Sequence, residues 1–124
     1  MIQLKRVYEK PSRKDGLRIL VDRLWPRGLR KSDAAIDRWM KDVSPSTELR
    51  QWFGHDPGKW REFKQRFFKE LQGKQEQVER LAVFARRGKV TLLFGSKEER
   101  FNNAAALKEY IEAGMSDSEK KKAA

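Results

Sequence analysis

Leu17-Arg18-Ile19-Leu20-Val21-Asp22-Arg23-Leu24-Trp25-Pro26-Arg27-Gly28 is the stretch on which the fold turns. Its nearly continuous Ile19-Leu20-Val21 suits an interior strand covered on both faces. The run then delivers an Asp, two Arg and a Trp into a turn marked by Pro26 and Gly28. A strand that ends in charged residues and a rigid turn is where an α/β domain usually places its ligand. The two guanidinium groups make an anion the ligand to look for.

Working outward, Ile2, Leu4, Val7 and Tyr8 predict an earlier strand closed by Pro11, followed by a polar turn through Asp15-Gly16. The second strand is expected over Leu17 to Trp25. Residues 29–43 fit either a helical spacing (Ile36, Trp39, Met40, Val43) or a short strand near Trp39. Ser44-Pro45 predicts a capped helix through Trp52-Phe53, stopped by Gly54. Asp56-Pro57 starts the next, on which Trp60, Phe63, Phe67 and Leu71 form one stripe up to Gly73. Val78, Leu81, Ala82 and Ala85 mark another, closed by Gly88. Val90-Thr91-Leu92-Leu93-Phe94 reads as a further buried strand. Ser96 with Glu99 forms an expected capping box for a last helix running to Gly114.

These elements predict a small α/β three-layer sandwich, a short, mostly parallel sheet flanked by helices, over residues 1–115. The polar stretch 116–124 is expected to be a disordered tail. If the strands at 18–24 and 89–94 run parallel, the turns after both open at one sheet edge. Arg23, Arg27, Ser96 and Lys97 would then line one crevice, facing the amino end of the last helix.

Composition sets the outer bounds. A chain of 124 residues fits one domain, and 38% charged residues leave a heavily charged surface around an aromatic-rich core. The net charge is +11, of which residues 1–31 carry +7; such a concentration attracts phosphates. The absence of Cys excludes disulfides, thiolate catalysis and Cys-ligated zinc, and one His excludes a His-rich metal site. No cofactor is expected, although a carboxylate-held Mg²⁺ is compatible with the residues present. No long apolar run is found and Met1 to Pro11 lacks the apolar region of a signal peptide, so a soluble cytoplasmic protein without membrane partners is expected.

The chain also resembles a known family. Val7-Tyr8, Asp15-Gly16, Leu20 to Gly28, Pro45-Ser46, Leu49-Arg50, Trp52-Phe53, His55-Asp56-Pro57 and Thr91-Leu92-Leu93 follow the pattern of the YeaO-like proteins, bacterial and archaeal proteins whose domain has no assigned function. The likeness spans residues 3–113 and implies one small α/β domain without an established activity. Asp22, Arg23, Trp25, Arg27, Ser46, Arg50, His55, Asp56, Asn102 and Asn103 match its pattern. Relatives commonly read Lys-Asp, two residues, then His-Asn after the last strand; here Lys97-Glu98-Glu99-Arg100-Phe101-Asn102 stands. Phe101 thus replaces an imidazole with an inert ring, and any acid–base or metal role of that His is absent here.

Each candidate residue has a structural and a functional reading. Asp22 is a candidate catalytic base or Mg²⁺ ligand, or else an ion-pair partner that holds the turn. Arg23, Arg27, Arg50, Ser96, Lys97 and Asn102 are candidates for binding an anion or phosphate; the Arg pair could equally be ordinary surface charge or cap helix carbonyls. Trp25 either stacks on a ring or packs in the core. His55 reads as a turn residue beside Gly54, or as a proton shuttle with Asp56. Two functions follow: a nucleic-acid binding module, RNA foremost, or an enzyme on a small phosphorylated or carboxylated substrate using Asp22 and the Arg pair. A third is a protein-interaction domain with a basic docking face.

Overall fold

The computed structural model describes the backbone of residues 1–123 and the side chains of residues 1–115. The expected disorder of 116–124 lies outside the residues described in full. Four strands, β1 (Ile2–Arg6), β2 (Leu17–Leu20), β3 (Arg38–Trp39) and β4 (Val90–Phe94), form one sheet in the order β1-β4-β2-β3. Every pairing is parallel, with Leu4 opposite Leu92, Leu92 opposite Ile19, and Leu20 opposite Trp39. The helices are α1 (Lys31–Ala34), α2 (Thr47–Phe53), α3 (Trp60–Gln72), α4 (Gln75–Arg87) and α5 (Asn103–Ala123).

The sheet's two faces are dressed differently. Ile2, Ile19, Val21, Val90, Leu92 and Phe94 pack on the helical layer, against Phe63, Phe67, Leu71, Leu81, Leu107 and Ile111. Each such buried side chain contributes roughly 1.5–3 kcal/mol of transfer free energy. The opposite face carries Val7, Leu20 and Leu93, covered by Trp25, Leu29 and Ile36 from the segment between β2 and β3 and by Trp39 of β3. That cover holds only the single turn of α1, so the third layer is thin.

At the amino end of β2 the same face turns polar. The buried Asp15 carboxylate accepts from Lys5 Nζ at 3.1 Å, the Ser12 backbone N–H at 2.9 Å, and the Arg18 guanidinium. The rest of the Arg18 fork donates to the Ala34 and Ala35 carbonyls that end α1. Burial pushes the Asp15 carboxyl up, but these donors outweigh it and hold it below the usual Asp value. Gly16 beside it has φ +65°, and a Cβ there would stand 2.3 Å from the Lys89 carbonyl oxygen. Only glycine fits.

Four boundaries differ from the sequence-based expectation, each for a local reason. β2 ends at Leu20 rather than Trp25: Val21 N–H still reaches the Leu93 carbonyl, but the Asp22 side chain then takes the Gly95 N–H. The cap of α2 is Ser46, not Ser44; its hydroxyl accepts from Leu49 N–H and donates to Glu70 of α3 at 2.6 Å, while Ser44 closes the preceding turn on Lys41. α5 starts at Asn103, because Asn102 rather than Ser96 supplies the cap, accepting from Ala105 N–H at 2.8 Å. It also runs through Gly114; one helical glycine costs only about 1 kcal/mol. The region 29–43 resolves into α1, the two-residue β3 and a short 3₁₀ turn.

Candidate anion-binding cleft

Because all four strands are parallel, their carboxyl ends share one edge, and the loops that follow them meet there. Tyr8 follows β1, Asp22 to Arg27 follow β2, Ser44 and Pro45 lead from β3 into α2, and Gly95, Ser96, Phe101 and Asn102 follow β4. Together they enclose a cleft of about 780 Å³. That size suits a small ligand or one or two units of a polymer.

One wall is aromatic. Phe53 and Phe63 stack with ring centroids 4.4 Å apart, and Phe101 leans on Trp60 at 5.5 Å. Phe53 and Phe63 also belong to the core, so the wall is rigid where it meets the cleft.

Asp22 stands half-buried at the sheet edge. Its carboxylate accepts from the Gly95 backbone N–H at 2.8 Å and from the Asn103 side-chain amide at 3.1 Å; that amide also donates to the Val21 carbonyl. A Cβ on residue 95 would sit 3.2 Å from the same carboxylate, so Gly95 lets the two backbones approach. No ion pair reaches Asp22 among the described residues. Burial raises its carboxyl above the usual Asp value, and the Gly95 and Asn103 hydrogen bonds with the charge of Arg50 only partly oppose it. The ion-pair reading of Asp22, with Arg23 or another neighbour, is therefore not met among the described residues; Asp22 holds the turn through hydrogen bonds instead.

Arg23 instead donates twice to the Pro45 carbonyl, both at 3.3 Å, bracing the mouth of the cleft against the start of α2. Arg27 and Arg50 line the cleft and are exposed. Among the described residues neither guanidinium has a hydrogen-bond or salt-bridge partner. The backbone carbonyl of Arg27 accepts from the Tyr8 hydroxyl at 2.9 Å, which pins the loop that carries it.

The other sequence candidates fall out unevenly. Ser96 lines the cleft, but its hydroxyl already accepts from Glu98 N–H and its carbonyl from Arg6. Lys97 is exposed and stands outside the lining, so the four-residue crevice expected from the sequence lacks that member. Asn102 is buried and spends its side chain on Ala105 N–H and the Glu98 carbonyl as the α5 cap. Trp25 lines the cleft with its ring edge-on to Trp39 at 5.4 Å and its indole N–H on the Leu29 carbonyl.

Sequence reasoning did not select Asn103, Gln51, Phe53 or Phe63 for the site, and each lines the cleft. The amide of Asn103 was the one legible signal, a second polar residue immediately after the cap. His55 lines the cleft too, with φ +60° directly after Gly54 at φ +53°. Among the described residues no three His, Cys, Asp or Glu side chains cluster as metal ligands.

Comparison with known proteins places this chain. A family model described as the inactive DUF488-N3 subclade matches residues 1–124. YeaO of Escherichia coli, described as uncharacterised, is 42% identical over 110 residues, covering 89% of this chain and 96% of that protein. The chain belongs to this YeaO-like DUF488-N3 family. The uncharacterised protein Rv3073c of Mycobacterium tuberculosis is 38% identical over 110 residues, covering 89% of this chain and 92% of its own. A Mycobacterium bovis relative, also uncharacterised, matches equally. No solved structure matches the chain significantly. Among the described residues no helix is long and apolar enough to cross a membrane.

Proposed function

We propose that the protein is a binding module whose cleft takes a phosphate-bearing nucleotide, either within a single-stranded RNA or free. The observation that carries this reading is the convergence of Arg23, Arg27 and Arg50 on one concave site with an aromatic wall. Arg27 and Arg50 are free to fork onto phosphate oxygens, and the half-buried rings of Trp25 and Phe101, both lining the cleft, offer apolar surface to a base. A cytoplasmic setting, where nucleotides and RNA are found, goes with the reading.

An enzyme acting on a small phosphorylated or carboxylated substrate is the second reading. It is favoured by Asp22, a carboxylate in the cleft whose pKa is raised in the direction that suits a general acid or base. The description of the family as inactive and the inert ring of Phe101 weigh against it.

The test is equilibrium binding of nucleoside monophosphates and of a labelled single-stranded RNA at low and physiological salt. The wild type is compared with the Arg23→Ala/Arg27→Ala double variant. Binding of either ligand that the double change weakens by about tenfold or more supports the module; a steep salt slope for RNA, shallow for the mononucleotide, assigns the strand as the ligand. Failure of both ligands to bind at low salt overturns it. Turnover abolished by Asp22→Asn with affinity retained would favour the enzyme instead.

A further inference from the structure

Among the described residues Asp22 is the only acidic side chain lining a cleft otherwise rich in donors: Arg23, Arg27, Arg50, Gln51 and Asn103. A carboxylate beside a bound phosphate repels it, by about 1 kcal/mol at 4 Å even in bulk water and by more where water is excluded. The phosphate therefore belongs with the exposed Arg27 and Arg50, and the half-buried Asp22 is left for the uncharged part of the ligand. Asp22 is not consumed by the protein. A carboxylate offers about four acceptor positions; Gly95 and Asn103 occupy two, one on each oxygen, and no cation is paired with it among the described residues. A half-buried carboxylate left this way is costly unless a ligand's donors complete it.

Resting on the nucleotide reading above, we infer that Asp22 selects the base: it accepts from a ring edge that presents two adjacent N–H donors, which among the common bases means guanine. Two carboxylate oxygens side by side match the guanine N1–H and exocyclic amino group together. Adenine and cytosine put a ring acceptor next to their amino group, and that acceptor would face a carboxylate oxygen. Uracil has a single N–H between two carbonyls. The half-buried rings of Trp25 and Phe101 can hold any of these bases; Asp22 tells them apart.

The experiment compares guanosine, adenosine, inosine and xanthosine 5′-monophosphates on the wild type and on Asp22→Asn, with the folded state of each variant checked by thermal unfolding. The wild type is expected to prefer the guanosine ligand about tenfold over the adenosine one, with inosine, which lacks the amino group, between them. Asp22→Asn replaces one acceptor by a donor, so its preference should pass to xanthosine, whose N1–H stands beside a carbonyl. A purely structural Asp22 would weaken all four alike and leave the order unchanged. Should Asp22→Asn fail to fold, Gly95→Ala, whose Cβ presses on the carboxylate from 3.2 Å, is expected to erode the guanosine preference while adenosine affinity is kept. Equal affinity of the wild type for all four overturns this inference and leaves the nucleotide reading standing. Binding of none overturns this inference, and the nucleotide reading falls with it only if the single-stranded RNA also fails to bind.

Discussion

Asp15 and Asp22 stand just beyond the two ends of the same short strand, β2, and the protein treats them in opposite ways. Asp15 is 1% exposed and meets two cations and a backbone N–H, so its carboxyl is held below the ordinary value. Asp22 is half-buried, meets two neutral donors and no salt-bridging cation, and its carboxyl is raised. A carboxylate whose partners are all internal is a fastener for the fold. One left under-compensated beside a cleft is open to a ligand. The amino edge of the sheet is therefore where this chain secures its fold, and the carboxyl edge is where it leaves chemistry exposed.

The largest effect should come from breaking the fastener. Asp15→Ala strands the Arg18 guanidinium, which is 4% exposed, with one fork member unpaired, and removes the acceptor of Lys5 and of the Ser12 N–H. Removing one partner of a buried ion pair typically destabilises by about 3–5 kcal/mol. Urea unfolding should show a loss of that order. A change below about 1 kcal/mol would mean that Asp15 is no fastener and that the contrast between the two ends is lost.

Acid should separate the two residues next. Asp15 has a lowered native pKa, so its stabilising contribution is in force above its unfolded value, about 3.9, and disappears as pH falls through the native one. Asp22 has a raised native pKa, so its contribution is in force below the unfolded value and is lost as pH rises through the native one. Carboxyl chemical shifts followed against pH should give a midpoint below the usual Asp range for Asp15 and above it for Asp22. Midpoints in the reverse order would contradict the account of both ends.

How much of this the chain announced depends on what kind of signal each part used. β4, α3 and α4 were legible because an apolar run or stripe bounded by glycine admits few other readings: Phe63, Phe67 and Leu71 are all buried where the spacing puts them. Helix starts were less legible because two caps competed within a few residues. Tertiary partners chose between them, Glu70 fixing Ser46 and the 96–102 loop delivering Asn102. Arg18 was missed since a charge inside an apolar strand reads as surface, whereas its partners Asp15, Ala34 and Ala35 come from either side in sequence. At the cleft, the charged residues after β2 were visible as a cluster. The Phe53–Phe63 pair is hidden by its role as core, and the sequence puts Lys97 in the crevice because the Ser96 cap signal sets the start of α5 six residues too early.

The smallest expected effect distinguishes the two free arginines of the cleft. Neither Arg27 nor Arg50 has a side-chain partner among the described residues, so alanine at either should change stability at neutral pH by no more than about 0.5 kcal/mol. The two should nevertheless differ at Asp22. Arg50 is the charge that lowers the Asp22 carboxyl toward its ordinary value, whereas Arg27 has no such influence on it. Arg50→Ala should therefore move the Asp22 titration midpoint further up. The sign carries over to stability: the variant loses a little above the native midpoint, where Asp22 is charged and has lost its attraction, and matches the wild type below the unfolded value, where Asp22 is neutral in both states. Arg27→Ala should leave the midpoint in place. If both variants moved it equally, the field at Asp22 would belong to the basic face as a whole, and the carboxyl edge would lose the difference between its two free arginines.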